Sequence, residues 1–244
     1  MCAAKFGSWT DHHYAVAPSK QTAVCRIQKN MSTVLDSLIC FLYDEKKFNN
    51  ISNKSFSGNA RQCGDLIDSN SIAKILLSNR ITSEQELFKA WNFFALVRDP
   101  IDKFLSAFLD NHPIETLNSE GKVETHCNAC KSNMTCFIIK EYERIIKASA
   151  LPKHSTTSED IHFFPQSWRC ELDKFLPNIT IIKYNNNFID ADKSRKFQRD
   201  IISALSKNKL ISKSSLNYIS EQLDVATTIH ITANSMARTY LEKR

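Results

Sequence analysis

The sequence predicts an α/β fold with three layers, in which a mainly parallel central sheet lies between flanking helices. Short apolar runs such as residues 22–27 and 93–97 are typical of buried strands. Each run leads into a stretch with apolar residues at helical spacing, and this strand–helix alternation favours a parallel sheet. A chain of 244 residues with 42% hydrophobic residues is long enough to bury one large core.

The first half of the chain supplies two strand–helix pairs. After the strand at 22–27, a helix is predicted because apolar residues recur at i, i+3, i+4 and i+7 spacing. These residues are Met31, Val34, Leu35, Leu38, Ile39 and Leu42. We expect Ser32 and Thr33 to cap this helix. Residues 44–70 are polar and predict a long surface excursion. The strand at 93–97 leads through Asp99 and Pro100, typical of a helix start, into a second helix.

The second half continues the alternation. A loop containing Cys and His is expected at about 111–136, followed by a helix near 136–150 and a strand at 179–184. Helices near 193–206 and 213–223 complete the predicted elements. The sequence shows neither a repeat nor a linker that would divide it. We therefore predict an N-terminal tail at 1–17 and a single domain at 18–244.

Composition excludes several classes of protein. Charged residues make up 24% of the chain, which argues against collagen-like, coiled-coil and disordered proteins. Only four glycines occur, so the glycine-rich GxGxxG and GxxxxGK nucleotide loops are excluded. The net charge of +6 (32 − 26) suits an anionic ligand.

The compartment is predicted from cysteines and glycosylation motifs. Eight cysteines favour an oxidising compartment. Five N-x-S/T motifs add a weaker signal, at Asn30, Asn50, Asn53, Asn133 and Asn178. No apolar run approaches the ~18–20 residues of a membrane span, and the start lacks the apolar core of a signal peptide. We expect a secretory lumen protein whose membrane anchor is missing from this sequence; the alternative is a cytosolic protein with incidental cysteines.

Residues 26–33 form the first motif that indicates a binding site, because a predicted strand leads directly into a helix start. Backbone N–H groups and the helix dipole bind anions at such a point. Lys29 adds a charge, and Ser32 and Thr33 add hydroxyl donors. The alternative interpretation is a capped helix with an exposed lysine.

Residues 97–108 form the second motif. Arg98 falls where an apolar strand ends, and ligands in open α/β sheets bind beyond the carboxyl ends of strands. Ser106 lies eight residues later and interrupts the apolar stripe of the following helix. An arginine fork and a hydroxyl converging on one anion would suit a phosphate. The alternative is a structural Arg98 that pairs with Asp99 or Asp102.

Together the two motifs resemble those of the Golgi carbohydrate sulfotransferases. The run from Lys29 to Thr33 is similar to their 5′-phosphosulfate loop, in the form found in the heparan and uronyl 2-O enzymes. The run from Val97 to Ser106 is similar to their 3′-phosphate motif. Residues 160–170 resemble a His-aromatic-x-Pro segment of chondroitin-type enzymes, and several stretches resemble a nematode group of such proteins.

The resemblance implies a P-loop-like form of the α/β fold and transfer of a sulfuryl group from PAPS (3′-phosphoadenosine 5′-phosphosulfate) to a glycan hydroxyl. An anionic, glycosaminoglycan-like acceptor in the Golgi lumen is implied, with neither a metal nor nucleic acid, and with membrane attachment only through the missing anchor. The implied donor-binding residues are Lys29, Asn30, Met31, Ser32, Thr33, Arg98 and Ser106. Lys29 would contact the phosphosulfate bridge, and a glycan on Asn30 would block the nucleotide, so we expect Asn30 to be unglycosylated.

His162 is our candidate for the general base that deprotonates the acceptor hydroxyl. The unperturbed pKa of histidine, ~6.5, suits proton transfer near neutral pH. Glu159 and Asp160 are candidates to orient the ring. The alternative is that His162 packs structurally; Asp36 is then the reserve candidate, followed by His112.

The cysteine cluster permits two interpretations. His126, Cys127, Cys130 and Cys136, with Cys170 further along, could bind zinc, or the cysteines could form disulfides. The missing second close ligand pair favours disulfides, whose connectivity the sequence leaves open. Two functional rivals also remain: a P-loop-related kinase, and a non-catalytic glycan- or nucleotide-binding protein of the same fold.

Overall fold

The computed structural model describes residues 13–50, 55–56, 63–110, 127–130, 133–150, 158–184 and 191–226. Contacts divide the chain into two compact units. The sheet unit comprises the described residues of Asp11–Asp99 and Gln166–Ile229, and the helical unit comprises those of Pro100–Pro165. The prediction of a single domain stays a prediction.

The described part of the sheet unit contains one five-stranded sheet. Its strands are β1 (Tyr14–Ala17), β2 (Thr22–Cys25), β3 (Asp68–Ser69), β4 (Asn92–Val97) and β5 (Thr180–Lys183), in the order β3-β1-β2-β4-β5. The β2–β4 and β4–β5 pairs are parallel, and β1 is antiparallel to both of its neighbours. Strand β1 therefore runs against the other four strands, and the predicted mainly parallel sheet is confirmed.

Two strands differ from the sequence prediction. Residues 14–17, which we assigned to the N-terminal tail, form the buried strand β1, and β3 lies within the predicted surface excursion. Strand β3 contains only Asp68 and Ser69 and so has no apolar pattern, and β1 is not followed by a stretch with helical spacing that would have marked it as the start of a strand–helix pair. The sheet therefore starts before residue 18.

Helices of the sheet unit cover both faces of the sheet. They are α1 (Ser32–Tyr43), α2 (Glu45–Asn49), α3 (Ile72–Asn79), α4 (Glu84–Ala90), α8 (Leu172–Phe175), α9 (Ala191–Ser206) and α10 (Lys213–Val225). Val24, Phe94 and Leu96 share a core with α1, α9 and α10, whereas the alternate residues Ala23 and Phe93 share one with α3, α4 and α8. Since successive strand residues face opposite sides, the three-layer prediction is confirmed for this unit.

The helical unit contains α5 (Pro100–Asp110), α6 (Met134–Ser149) and α7 (Ser158–Phe163). One aromatic from each helix forms a small core. The ring centroids of Phe108 and Phe137 are 5.4 Å apart, and those of Phe137 and Phe163 are 4.6 Å apart. Both ring pairs are tilted and thus avoid the face-to-face arrangement that aromatic rings disfavour.

Candidate active site

The loop between β2 and α1 contains two residues in the left-handed backbone region. Lys29 has φ 67° and Met31 has φ 60°, and the Asn30 N–H closes a turn on the Ile27 carbonyl at 3.1 Å. A left-handed conformation costs a residue with a side chain roughly 1–2 kcal/mol. Such strained backbone persists where surrounding contacts hold it, and it concentrates at functional sites.

Helix α1 begins at Ser32, its N-cap residue is Met31, and no side chain caps it. The first intrahelical bond joins the Leu35 N–H to the Met31 carbonyl at 3.0 Å. The prediction that Ser32 and Thr33 cap the helix is therefore wrong: both lie within its first turn. By contrast, Ser71 and Ser83 cap α3 and α4 through their side chains. The first N–H groups of α1 therefore have no capping side chain in the described part of the chain, and the helix dipole makes that position favourable for an anion.

Arg98 follows β4 and faces the same loop. Its Nη1 donates to the Lys29 carbonyl at 3.1 Å, and its guanidinium lies 5.3 Å from the centre of the Tyr184 ring. Among the described residues of the sheet unit no carboxylate pairs with Arg98, which argues against the structural ion pair with Asp99. Nε and Nη2 have no partner among the residues that the structure describes. Arg98 therefore keeps donors for an anion while one bond fixes its position.

Asn30 is fully buried and holds the loop against the sheet. Its Nδ2 donates to the Leu96 carbonyl at 2.8 Å and to Gln166 Oε1 at 2.6 Å, whereas Oδ1 is buried and has no hydrogen-bond partner among the described residues. Since its backbone N–H is also bonded within the loop, the N–H donors of Asn30 are occupied by the protein. Asn30 thus positions the loop.

Gln166 is the residue that sequence analysis missed. Its Oε1 accepts from the Arg98 backbone N–H at 3.0 Å as well as from Asn30, and its Nε2 donates to the Arg98 carbonyl at 2.8 Å. One amide side chain thereby holds both Asn30 and the backbone of Arg98. Gln166 lies in the stretch that resembles chondroitin-type enzymes, but a lone glutamine carries no signal of such contacts.

The helical unit contains the other two predicted residues. Ser106 lies on α5 with 5% of its surface exposed, and His162 is half-buried in the last turn of α7. Lys103, buried on α5, donates through Nζ to the carbonyls of His162 and Phe164. A cation at the carboxyl end of a helix is favourable, so Lys103 holds the His162 backbone. The side chains of Glu159 and Asp160, and all of His112, lie outside the described residues.

The structure thus brings Lys29, Asn30 and Arg98 together at one edge of the sheet. A model of the sulfotransferase family matches residues 12–243 of this sequence. The chain belongs to the sulfotransferase family. The family and the α/β fold expected from the two motifs are thereby confirmed.

Three curated relatives of this sulfotransferase-family chain come from Caenorhabditis elegans. The uncharacterized protein C18B2.2 is 31% identical over 95% of this chain and 62% of its own length. The putative sulfotransferase vep-2 is 31% identical over 94% of this chain and 68% of its own, and the carbohydrate sulfotransferase chst-1 is 30% identical over 96% and 68%. The chain therefore spans about two thirds of the length of these relatives. No solved structure matches the sequence.

Asp36, the reserve candidate for the base, belongs to a cluster of charged side chains in the sheet unit. It accepts from Arg26 Nε, while Arg26 Nη1 contacts Asp68 at 2.6 Å and His13 Nδ1 lies 3.6 Å from Asp68. Burial raises the pKa of Asp36 above its ordinary value of 3.8, and the neighbouring Arg26 offsets only part of this rise. A carboxylate already bonded to a guanidinium is a poorly placed base.

Among the described residues of this sulfotransferase-family chain, six cysteines form disulfides: Cys25–Cys170, Cys40–Cys63 and Cys130–Cys136. Three of them were possible zinc ligands, so the structure favours the disulfide interpretation. Among the described residues no group of three or more His, Cys, Asp or Glu is arranged to hold a metal ion. The side chains of His126 and Cys127 lie outside that part of the chain. None of the described helices is both long and apolar enough to cross a membrane.

Proposed function

We propose that this chain transfers the sulfuryl group of PAPS to a hydroxyl of an anionic, glycosaminoglycan-like glycan in the Golgi lumen. One observation carries the proposal. The uncapped start of α1 lies beside a loop whose Lys29 carbonyl is 3.1 Å from Arg98 Nη1. Anion donors from two neighbouring parallel strands are thereby gathered at the carboxyl edge of the sheet, where open α/β sheets bind ligands.

The donor set fits a ligand with two separate anionic ends. The backbone N–H groups of Ser32 and Thr33, with the Lys29 charge, suit the 5′-phosphosulfate. The Nε and Nη2 groups of Arg98 suit the 3′-phosphate, because a planar guanidinium binds phosphate through two parallel hydrogen bonds. We assign Ser106 to the same phosphate on the family motif. Asn30 and Met31 shape the loop, through the amide contacts of Asn30 and the left-handed backbone of Met31.

The chemistry follows from positioning and charge. Bound PAPS supplies an activated sulfuryl group, and the protein aligns the acceptor oxygen for in-line displacement. Lys29 stabilises the charge that develops on the leaving phosphate oxygen as the bond to sulfur breaks. We assign His162 to accept the proton of the acceptor hydroxyl as the new oxygen–sulfur bond forms.

Two findings support the carbohydrate acceptor and the compartment. One relative, 30% identical over 96% of this chain, carries the name carbohydrate sulfotransferase. The three disulfides suit an oxidising secretory lumen, since disulfides persist there and are reduced in the cytosol.

The test is transfer of labelled sulfate from PAPS to a panel of desulfated glycosaminoglycans and neutral glycans. We expect transfer to an acidic acceptor without added metal. Nucleotide binding without transfer to any acceptor would instead favour the non-catalytic alternative, and metal-dependent turnover of ATP would favour the kinase.

The donor site is tested by Arg98→Ala, with the exposed Arg199→Ala as a matched control. Arg98→Ala should weaken binding of 3′-phosphoadenosine 5′-phosphate by ~2–4 kcal/mol, because a charge-assisted contact is lost and its partner is left poorly satisfied. Binding of adenosine 5′-phosphate should change little. Titration calorimetry measures both ligands, and equal losses for both would contradict the assignment to the 3′-phosphate.

The catalytic residues are tested separately from binding. Lys29→Ala should reduce turnover far more than it reduces affinity for the product nucleotide, because its contact strengthens towards the transition state. His162→Ala should abolish transfer while the nucleotide still binds. If Asp36→Asn loses turnover and His162→Ala keeps it, the roles are reversed.

A further inference from the structure

Two cavities lie along β5 and the amino end of β4, within the sheet unit. The first, of about 380 Å³, runs between the edge strand β5 and one face of α9, from Lys183 to Lys207. The second, of about 370 Å³, lies between the end of α4, the start of β4 and the residues that follow α9. Lys207 lines both cavities, so they adjoin each other.

These two cavities, which we name the β5 groove, are strongly basic. Five exposed lysines line them: Lys89, Lys183, Lys196, Lys207 and Lys209. Asp200, the acidic residue of the lining, pairs with Lys196 at 2.7 Å. The other four lysines have no carboxylate partner in the described part of the chain. Like charges gathered without counter-ions produce a positive potential that attracts a polyanion.

The β5 groove is extended, and most of it is remote from the donor site. Lys196 and Lys207 are eleven residues apart along and beyond α9, which spans roughly 16 Å at helical rise. Asn92 lines the second cavity at one end of β4, whereas Arg98 follows the other end, roughly 20 Å away at strand rise. The β5 groove therefore needs a ligand longer than the nucleotide and different from it.

The chemistry of the groove walls favours a glycan over a nucleic acid. Thr180 and Ser203 supply hydroxyl groups between the lysines, which suits sugar hydroxyls and sulfates. Trp91 is the aromatic residue of the lining, and only 7% of its surface is exposed. Proteins that hold single-stranded nucleic acid stack bases on exposed aromatic rings, and the groove offers none.

We propose that the β5 groove binds a segment of a sulfated or carboxylated polysaccharide, away from the residue that is being modified. The choice of a glycan rests on the proposed function, whereas the basic groove itself does not. The groove starts at Lys183, one residue before Tyr184, which packs against Arg98. A polysaccharide bound there would therefore extend from the carboxyl ends of the strands, where Arg98 lies, towards their amino ends.

The test uses the whole chain on immobilised heparin as the sulfated probe. The groove variant Lys89→Glu, Lys207→Glu and Lys209→Glu is compared with a control of equal net charge, Lys46→Glu, Lys74→Glu and Lys213→Glu, whose lysines are also exposed. We expect the groove variant to bind heparin at least tenfold more weakly in 0.15 M NaCl and to elute at lower salt. We expect the control to lose less than threefold, since screening limits the effect of distant surface charges.

The outcomes separate the groove from the proposed function. Affinity for 3′-phosphoadenosine 5′-phosphate should be equal in both variants and confirms that each is folded. Equal heparin affinity of groove and control variants, or a wild-type chain that does not bind heparin, would overturn the proposal. Single-stranded DNA that binds as tightly as heparin, with the same loss in the groove variant, would overturn the glycan assignment. Failure of sulfate transfer would leave the heparin result intact.

Discussion

At the scale of single residues, amide side chains hold the shape of the loop between β2 and α1. Lys29 and Met31 take left-handed backbone conformations that glycine adopts without strain, yet no glycine is present in this loop. The contacts of Asn30 with Leu96 and Gln166 oppose that cost, because buried hydrogen bonds are lost if the loop relaxes. The loop therefore depends on residues distant in sequence.

Gln166→Ala tests this dependence. The substitution removes three hydrogen bonds and leaves buried groups unpaired, so we expect unfolding free energy to fall by about 1–3 kcal/mol. Nucleotide affinity should fall as well, because Asn30 and Arg98 lose their common partner. Urea unfolding and calorimetry measure the two effects, with the exposed Gln85→Ala as control. An unchanged nucleotide affinity would show that Gln166 does not position the site.

From the raised pKa of Asp36 we predict that the free energy of unfolding depends on pH. Because burial raises its pKa above 3.8, the folded chain binds this proton more tightly than the unfolded chain does. The stability contributed by the protonated group is fully present below pH 3.8 and is lost as pH rises through the raised pKa. Asp36→Asn removes this titration.

Urea unfolding of wild type and Asp36→Asn at a series of pH values checks this sign. The unfolding free energy of wild type minus that of the variant should decrease as pH rises above about 3.8 and then become constant. A difference that increases with pH would mean that the Arg26 ion pair, rather than burial, dominates at Asp36.

Residue types and spacing predicted the place of two candidate site residues in the fold, whereas their roles stay predictions. Lys29 and Arg98 were predicted because each follows an apolar strand, and the structure brings the backbone of one to the guanidinium of the other. The capping by Ser32 and Thr33 was wrong, since a hydroxyl near a helix start does not reveal which residue is the cap. The role of Gln166 could not be predicted from the sequence, because its partners lie 68 and 136 residues away along the chain.

At the scale of elements, a disulfide fixes the segment that carries Gln166. Cys25 is the last residue of β2, and its bond to Cys170 spans 145 residues. Gln166 begins the short helix Gln166–Trp168, four residues before Cys170. The same segment is therefore tied covalently to β2 and by hydrogen bonds to Asn30 and Arg98.

Removal of a disulfide should cost more stability when the loop that it closes is longer, with a logarithmic dependence on loop length. In the chain-entropy account, replacing Cys25 and Cys170 by Ala costs about 5 kcal/mol, whereas replacing Cys130 and Cys136, six residues apart, costs about 2 kcal/mol. Only the first pair should also weaken nucleotide binding, because it holds the Gln166 segment. Unfolding curves and calorimetry measure both effects.

Peptide mapping without reductant checks the pairing itself. We expect cross-linked peptides for the three disulfides of the structure, and the predicted oxidation of Cys127 is examined in the same map. Recovery of Cys130, Cys136 and Cys170 as free thiols with stoichiometric zinc would overturn the disulfide assignment.

At the scale of the whole molecule, the N-x-S/T motifs differ in whether their asparagine is exposed to solvent, and glycosylation tests this difference. Asn30 is fully buried and its Nδ2 makes two hydrogen bonds, so a glycan on this atom is incompatible with the fold. Asn50, Asn133 and Asn178 are exposed. When the protein is secreted from a eukaryotic cell, we expect mass spectrometry of its glycopeptides to find glycans at one or more of these three sites and none at Asn30. An occupied Asn30 in folded, nucleotide-binding protein would contradict the loop structure.

Local pattern alone determined the α/β class, the approximate position of the strands predicted at 22–27, 93–97 and 179–184, and the two motifs that we propose to bind anions. These features depend on residues close in sequence, since a strand and the turn that follows it are encoded within about ten positions. Tertiary structure alone decided that β1 and β3 complete the sheet, that Cys25 pairs with Cys170, and that Gln166 joins the two motifs. These features depend on which strands become neighbours, and that choice is made by packing between segments far apart in the chain.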